Sequence, residues 1–450
     1  MANGRPRGSS IFSGLILIFV GTLLLLHNYR GFELSRVFLH WWPLLLIFWG
    51  AIKLYERTAG ARGGDAAGAR ITPGEVFLVL GLLALVGTVV VIEQVRNRFG
   101  PDIIDFGREA FHSDLDVTPE AVPANARITI HGRGNITVRS SDEPEIRVNG
   151  KKNVLSWNQN EAERLAGRIS AEIVHTGDGY EVHPTGFSGR TSKASVDMDV
   201  VVPVKSLVTV RNERGDISIS DMATPVTIDG ANGDIEVRNT AGDVSIDMRR
   251  GDVKVSDTKG NVNISGRGSS IEVVDATGSF TINGEFVGPV RASKIAKGMR
   301  FVSHRTDLTL TQLTGHMEAG SGNLTIVDAP GNLNVKTRDE DINIENASGK
   351  VRVENRNGNI EVRFSSPPKE DVEIYNSSAS ITLGLPEGSS FEILADCHSG
   401  DIDSEFEGEA LKVTKTESGD SHLEGKYGKG RAPKITLKTS YGSISTHKTS

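Results

Sequence analysis

Residues 231–257 read ANGDIEVRNTAGDVSIDMRRGDVKVSD, and in them Gly-Asp falls at 233, 242 and 251, nine residues apart. Each Gly-Asp is followed by an apolar β-branched residue, a polar one and a second apolar one. That period of two is the signature of a half-buried strand. The step extends in both directions. The first residues of successive apolar pairs are Ile217, Val226, Ile235, Val244, Val253, Val262, Ile271 and Phe280. After a slip, Leu324, Leu333, Ile342, Val351 and Ile360 keep the same nine-residue step. A period held this long marks a stacked repeat rather than a sheet of variable hairpins.

Nine residues make one strand and one turn, so a full coil is a multiple of nine, and the turns say which. Asp221, Asn239, Asp257 and Asp275 share a turn position 18 residues apart, as do Asp328 and Asn346, while the intervening turns differ. Outward residues agree: Glu236, Lys254 and Glu272 alternate in sign at spacing 18, as do Lys336 with Glu354 and Glu345 with Arg363. Stacked strands would set these opposite charges side by side at about 4.8 Å. The expected fold is an N-terminal α-helical membrane segment followed by an all-β domain. That domain is a flattened, two-faced β-solenoid, or β-helix, of about nine residues per strand-turn unit and 18 per coil.

Gly215, Gly233, Gly242, Gly251 and Gly260 are its expected corners, where glycine admits positive φ or close backbone approach. Two corners spell Arg-Gly-Asp, at 214–216 and 250–252, a tripeptide that adhesion receptors can read. On the repeat both fall in one turn class, two coils or roughly 10 Å apart, and not on a projecting loop. Open ends of such a stack would template strand addition, so caps are expected. The less regular 123–213 region, with a short amphipathic helix over 158–169, and the divergent coils of 365–450 take that role around a regular solenoid at 214–364. Pro367-Pro368 marks the break between the last two.

Three apolar runs, 11–26, 37–52 and 76–92, are each 16 or 17 residues long, the lower end of what spans ~30 Å of hydrocarbon. Trp41, Trp42 and Trp49 suit anchoring at the interface. No small-residue cleavage site follows the first run, which argues against a signal peptide. The 1–10 tail and the 53–74 loop together carry six basic residues, against four in the 27–36 loop and after the third run. The charge bias thus puts the tail and that loop in the cytoplasm, with three crossings, a juxtamembrane linker at 93–122 and an extracytoplasmic C-terminal region. A re-entrant hairpin of the first two runs would leave the sidedness open.

The stretch GLILIFVGTLLLLHN…HWWPLLLIFWGAIKLYER, over residues 12 to 57, resembles the LiaI–LiaF-like transmembrane region of bacterial envelope proteins. The resemblance implies a part in sensing or modulating envelope stress. DMDVVVPVKSLVTVRNERGDISIS, leading into the Gly-Asp repeats, resembles the bacterial putative-adhesin family of β-strand-repeat domains of unknown function, over about 125–450. That resemblance implies adhesion.

The chain of 450 residues carries 57 acidic and 50 basic residues, a net of −7 that argues against a nucleic-acid partner. A single cysteine, Cys397, rules out an intrachain disulfide and a multi-thiolate metal site. Asp216, Asp234 and Asp252 stack at 18-residue spacing and are the one candidate calcium site. The Gly-Gly-x-Gly-x-Asp turn of calcium-binding nonapeptides is missing, and Arg214, Arg250 and Lys254 lie beside them, so solvated carboxylates are the favoured reading. No catalytic motif is present, and no cofactor is expected. The chain therefore reads as a membrane-anchored, non-enzymatic surface for adhesion, binding or scaffolding. Its expected partners are the lipid bilayer, other envelope proteins or surface glycans, and further copies joined through solenoid ends or membrane helices. The rival readings are an envelope-stress regulator and, more distantly, a carbohydrate-active β-helix enzyme.

Overall fold

The computed structural model describes residues 109–449, apart from 157, 178, 188–193 and 409. The runs expected to cross the membrane, with Trp41, Trp42 and Trp49, lie outside the described residues. No helix among the described residues is long and apolar enough to cross a membrane. Those residues form thirty-three strands and one helix.

Through the regular region, successive strands alternate between two sheets, of sixteen and seventeen strands. In the first, Ile235 stands beside Ile217 and Val253, each 18 positions away. In the second, Val226 pairs with Val244 and Val244 with Val262. All these pairs are parallel, and the inward residues of both sheets meet in one core of Ile, Val, Leu and Phe. The coil is the two-faced 18-residue unit that the alternating turns require. Lys254 meets Glu272 at 3.4 Å and Lys336 meets Glu354 at 3.5 Å across neighbouring coils. Exposed pairs of this kind add about 0–1 kcal/mol each; their larger effect is to penalise a slipped register.

Asp221, Asn239, Asp257, Asp275, Asp328 and Asn346 all adopt left-handed backbone, with φ from 49° to 64°. Short polar side chains tolerate that region best among non-glycine residues. Here they also stack: Asn239 Nδ2 donates to Asp221 Oδ1 at 2.7 Å, and Asn346 Nδ2 to Asp328 Oδ1 at 2.9 Å. The hydrogen bond from Asn239 holds the Asp221 carboxyl below the usual carboxylate range. Lys294 takes the same place at φ 53°, with Nζ 3.5 Å from Asp275 Oδ2.

The slip in the nine-residue step has two causes. Ile271 pairs with Val290, 19 positions on, because one extra residue bulges at the corner where Val287 is 89% exposed. The chain then reverses. Met299–Val302 turns through Ser303–Thr306 into Asp307–Leu310, which runs antiparallel to it and to Leu333–Lys336 on its other side. Leu313–Ala319 likewise lies antiparallel between Val290–Ile295 and Asn323–Val327. One coil is thus traversed backwards, and the coils after it resume the original direction. The Pro367-Pro368 break is a milder event: Val351 pairs with Val372 and Ile360 with Ile381, so three residues are added at that corner without loss of parallel pairing.

Both ends are threaded out of sequence order. The strands Arg127–Gly132 and Ile136–Ser141 lie between those of 179–203 and those of 207–220. At the other end, Lys434–Tyr441 and Ile444–Thr449 slide between the 372–386 coil and the 391–404 coil. Antiparallel strands then close both sheets at the first end and the second sheet at the last end, where the first sheet finishes on Ile402–Ser404, parallel to Ile444–Thr449. The stretch expected as linker up to residue 122 needs correction: Glu109–Ala121 is a 13-residue strand, antiparallel to Glu145–Ser156. Phe111, Leu115 and Val117 carry its inward side, but the charged residues among them and Pro119 hide the alternation. The expected helix is present as Gln159–Ala166, capped by Asn158, whose side chain accepts from the Glu161 N–H. Glu161 in turn accepts from Ser156 Oγ at 2.8 Å. Ala162 packs into the end of the core.

Glu340 is a buried carboxylate, 7% exposed, beside the reversal, where Thr306 Oγ1 lies 3.0 and 3.3 Å from its two oxygens. Burial raises its pKa above the usual carboxylate value, against the Thr306 hydrogen bond and nearby Arg305, which lower it, and with Asp339, which raises it. A carboxyl whose folded pKa is raised binds its proton more tightly in the fold than in the unfolded chain. Its contribution to stability is therefore greatest below the usual carboxylate range and falls as pH rises through the folded value. Glu340→Gln should raise the melting temperature at pH 7 and flatten its decline between about pH 4 and 7; an unchanged slope of the wild-type-minus-variant difference would refute this. Lys294→Asn, which places a residue suited to left-handed backbone at that turn, should stabilise the solenoid by about 0.5–1 kcal/mol in urea unfolding.

Candidate functional site

The corner at which the second sheet hands the chain to the first contains the Gly-Asp pairs at 215–216, 233–234 and 251–252. Gly215 and Gly251 there have φ of 106° and 115°. A Cβ on Gly251 would stand 2.1 Å from the Gly233 carbonyl oxygen, so both conformation and space demand glycine. Gly242 and Gly260 belong to the opposite corner and serve by close approach: a Cβ on Gly260 would meet the Gly242 carbonyl at 2.4 Å.

The aspartate that follows each glycine has a definite task. Asp216 Oδ1 accepts the backbone N–H of Asp234, Asp234 Oδ1 that of Asp252, and Asp252 Oδ1 that of Ser270, each at 2.9 Å. Upstream, Asn135 Oδ1 accepts from Asp216 N at 2.9 Å, and Asp197 Oδ1 from Asn135 N at 2.8 Å. The opposite corner repeats the device through Asp243, Asn261 and Ser279. Asn replaces Asp freely in these ladders, which shows that they need an oxygen acceptor and not a charge. The three aspartates proposed from sequence as a calcium site are therefore brought together in one column, lining a groove of about 500 Å³, with one oxygen of each committed to the backbone. Among the described residues no group of three or more His, Cys, Asp or Glu side chains is arranged to hold a metal ion.

Arginines divide sharply by position. On the faces of the regular coils, Arg238, Arg291, Arg300, Arg352 and Arg363 each meet a carboxylate. At the same corner as Gly215 and Gly251, Arg249, Arg250, Arg267, Arg338 and Arg356 are exposed and have no such partner among the described residues, while Arg305 lies near the Glu340 carboxylate. Beside this corner, on the second sheet, lies a groove of about 920 Å³. Its floor is the Arg211–Asp229 pair at 3.3 Å, flanked by Asp247 and His131. Its far wall is Phe187, with the Arg133 guanidinium 5.2 Å from the ring centroid.

Sequence reading did not single out this groove. Arg211, Asp229 and Asp247 stand 18 apart and could have been found as an outward column. His131, Arg133, His183 and Phe187 could not, because their strands are inserted out of order. Elsewhere, His422 Nδ1 lies 2.6 Å from Asp396 Oδ1, and Lys438 Nζ is 2.8 Å from Asp396 Oδ2. The hydrogen bond to Asp396 raises the His422 pKa. Cys397, next in sequence, points to the opposite face, where Sγ donates to the Gly442 carbonyl at 2.8 Å and burial raises the thiol pKa. The sheet therefore separates the His422 imidazole, on the neighbouring strand Ser421–Tyr427, from the Cys397 thiol.

The ladder reading is tested by Asp234→Ala and Asp234→Asn. The alanine variant should lose about 1 kcal/mol of stability, and the asparagine variant should match wild type within about 0.5 kcal/mol. Equal losses, or a melting temperature that rises with millimolar calcium in the wild type alone, would show that the charge matters.

Residues 12–101 match the LiaF transmembrane domain. The match takes in all three apolar runs and so reaches further than the stretch recognised by eye. Residues 269–446 match the Toastrack domain, DUF4097; the coils upstream of 269 continue the same 18-residue register. No curated protein matches the chain. Among solved structures, a putative cell adhesion protein from Clostridium sporogenes is 10% identical, covering 76% of this chain and 100% of its own, with a TM-score of 0.18. A putative adhesin from Bacteroides fragilis is 12% identical (75% and 97% covered, TM-score 0.18). A putative lipid binding protein from Parabacteroides distasonis is 14% identical (76% and 98% covered, TM-score 0.26). Likenesses this low do not carry over the roles those names suggest. The chain is a membrane protein in which a LiaF-type transmembrane domain precedes a Toastrack β-solenoid.

Proposed function

We propose that this protein is a non-enzymatic binding component of the bacterial envelope, its N-terminal region crossing the cytoplasmic membrane three times and its solenoid presenting a recognition surface outside. The observation that carries this reading is the contrast between face and corner. The faces of the regular coils neutralise their own arginines, whereas five arginines at one corner have no carboxylate partner among the described residues, and one of them, Arg249, lines an open groove. A rigid stack that satisfies its backbone internally suits presentation of a fixed surface. The loop charges and the transmembrane match support the sidedness and the attachment to the bilayer.

A second reading, regulation of an envelope-stress response through partner membrane proteins, is favoured by the LiaF-type match over 12–101. Replacing residues 1–107 with an unrelated three-pass anchor separates the two: surface capture of envelope material should persist while any stress phenotype disappears. Protease added to intact spheroplasts should remove the solenoid. Protection of the solenoid there would overturn the extracytoplasmic placement, and with it the binding role.

A further inference from the structure

We infer that the groove of about 920 Å³ beside the Gly-Asp corner is a binding site for an acidic oligosaccharide, with Arg249 as the anchor for its anionic group. The inference rests on the binding role proposed above and assigns it a place and a ligand chemistry. Arg249 stands outward at the end of its strand and leans over Gly230, where a Cβ would come 3.8 Å from its terminal nitrogen. It lines the groove, yet no carboxylate reaches it among the described residues. A guanidinium offers five donors in a planar fork that fits a carboxylate or phosphate bidentately. Its neighbour one coil on, Arg267, pairs in register with Glu285, but Glu285 accepts instead from the His304 N–H at 2.7 Å. The positive end of the groove is therefore not cancelled from within.

The remainder of the groove asks for hydroxyls. Asp229 and Asp247 offer carboxylate oxygens, His131 and His183 ring nitrogens and Asn232 an amide, spread along the floor and rim. Flat acceptors and donors of this sort pair with vicinal hydroxyl groups and leave little for an apolar ligand. The Phe187 ring, backed by Arg133, supplies the one aromatic platform on which the C–H face of a sugar ring can lie. The acidic residues Glu181, Glu213, Asp229 and Asp247 roughly balance Arg133, Arg211 and Arg249. That balance disfavours a densely charged polyanion and favours a hydroxyl-rich chain with an isolated acid group.

The test uses the full chain in detergent and isothermal titration calorimetry with three probes: a neutral-sugar trisaccharide ending in one glucuronic acid, the same trisaccharide with that carboxylate reduced to an alcohol, and inorganic phosphate. The acidic trisaccharide should bind at least about tenfold more tightly than the reduced one. Arg249→Gln should remove that preference, and Phe187→Ala should weaken both sugars several-fold. Arg338→Gln, at the same corner but outside the groove, should change nothing. Equal affinity for the two sugars, equal effects of Arg249→Gln and Arg338→Gln, or no binding of any probe would overturn the assignment. If none binds while the anchored solenoid still captures envelope material, this site is wrong and the binding role survives. If capture fails as well, the binding role fails with it.

Discussion

Along most of the regular stack, a side-chain oxygen at the corner accepts the backbone N–H of the equivalent residue one coil on and holds the two coils together. A parallel stack leaves the first N–H of each strand at a corner, where the ladder of strand hydrogen bonds is about to begin and water competes for it. Asp216, Asp234 and Asp252 close that gap on one corner, and Asp243 and Asn261 on the other. The bond forms where equivalent corners of neighbouring layers stack and glycine lets the backbones approach; in the regular coils that sets the spacing at 18 residues. Period, Gly-Asp pair and register are therefore consequences of one constraint. The Gly-Asp of Arg-Gly-Asp at 214–216 and 250–252 follows from it too: the aspartate acts as a structural acceptor.

The constraint is local, and the ends are where it fails. A stack of identical parallel coils would expose a full strand edge at each terminus. Here the first and last coils by sequence are tucked one layer inward, and antiparallel strands with different register rules lie outermost everywhere but at the C-terminal end of the first sheet, where the short parallel strand Ile402–Ser404 does. Glu109–Ala121, the edge strand of the first sheet, carries Pro119 and a bulge between Val117 and Glu120, both of which spoil it as a template. The reversed coil near the middle has a cost of its own. It places the Glu340 carboxylate in a buried site with Thr306 as its side-chain hydrogen-bond partner.

Function is separated from this scaffold by geometry. Inward positions are occupied by the core and face positions by mutually paired charges, so chemical freedom remains chiefly at the corners. The corner glycines and the Asp and Asn acceptors are committed to the stack, but Arg249, Arg250, Arg267, Arg338 and Arg356 beside them are exposed and meet no carboxylate among the described residues. Those side chains can change without breaking a strand pair or an ion pair.

The nine-residue step, the 18-residue coil and the left-handed Asp and Asn turns were all legible in the sequence, because each follows from contacts between residues a fixed distance apart. Asp221, Asn239 and Glu236 declare their neighbours by spacing alone. The composition of the first hundred residues likewise declared a membrane segment. The strand at Glu109–Ala121, the reversal at Ser303–Thr306 and the insertion of 434–449 between earlier coils were not legible. Each depends on which backbone edge is open when the strand arrives, and backbone hydrogen bonds leave no residue signature. The groove belongs to the same class. Arg249, Asp229 and Arg211 share a column that the repeat implies, but only the out-of-order strands of the N-terminal end bring His131, Arg133 and Phe187 to its other side. Spacing along the chain is enough to specify a stack and its period, whereas the way the stack ends, and the side chains that meet there, depend on backbone edges that pair only in the folded molecule.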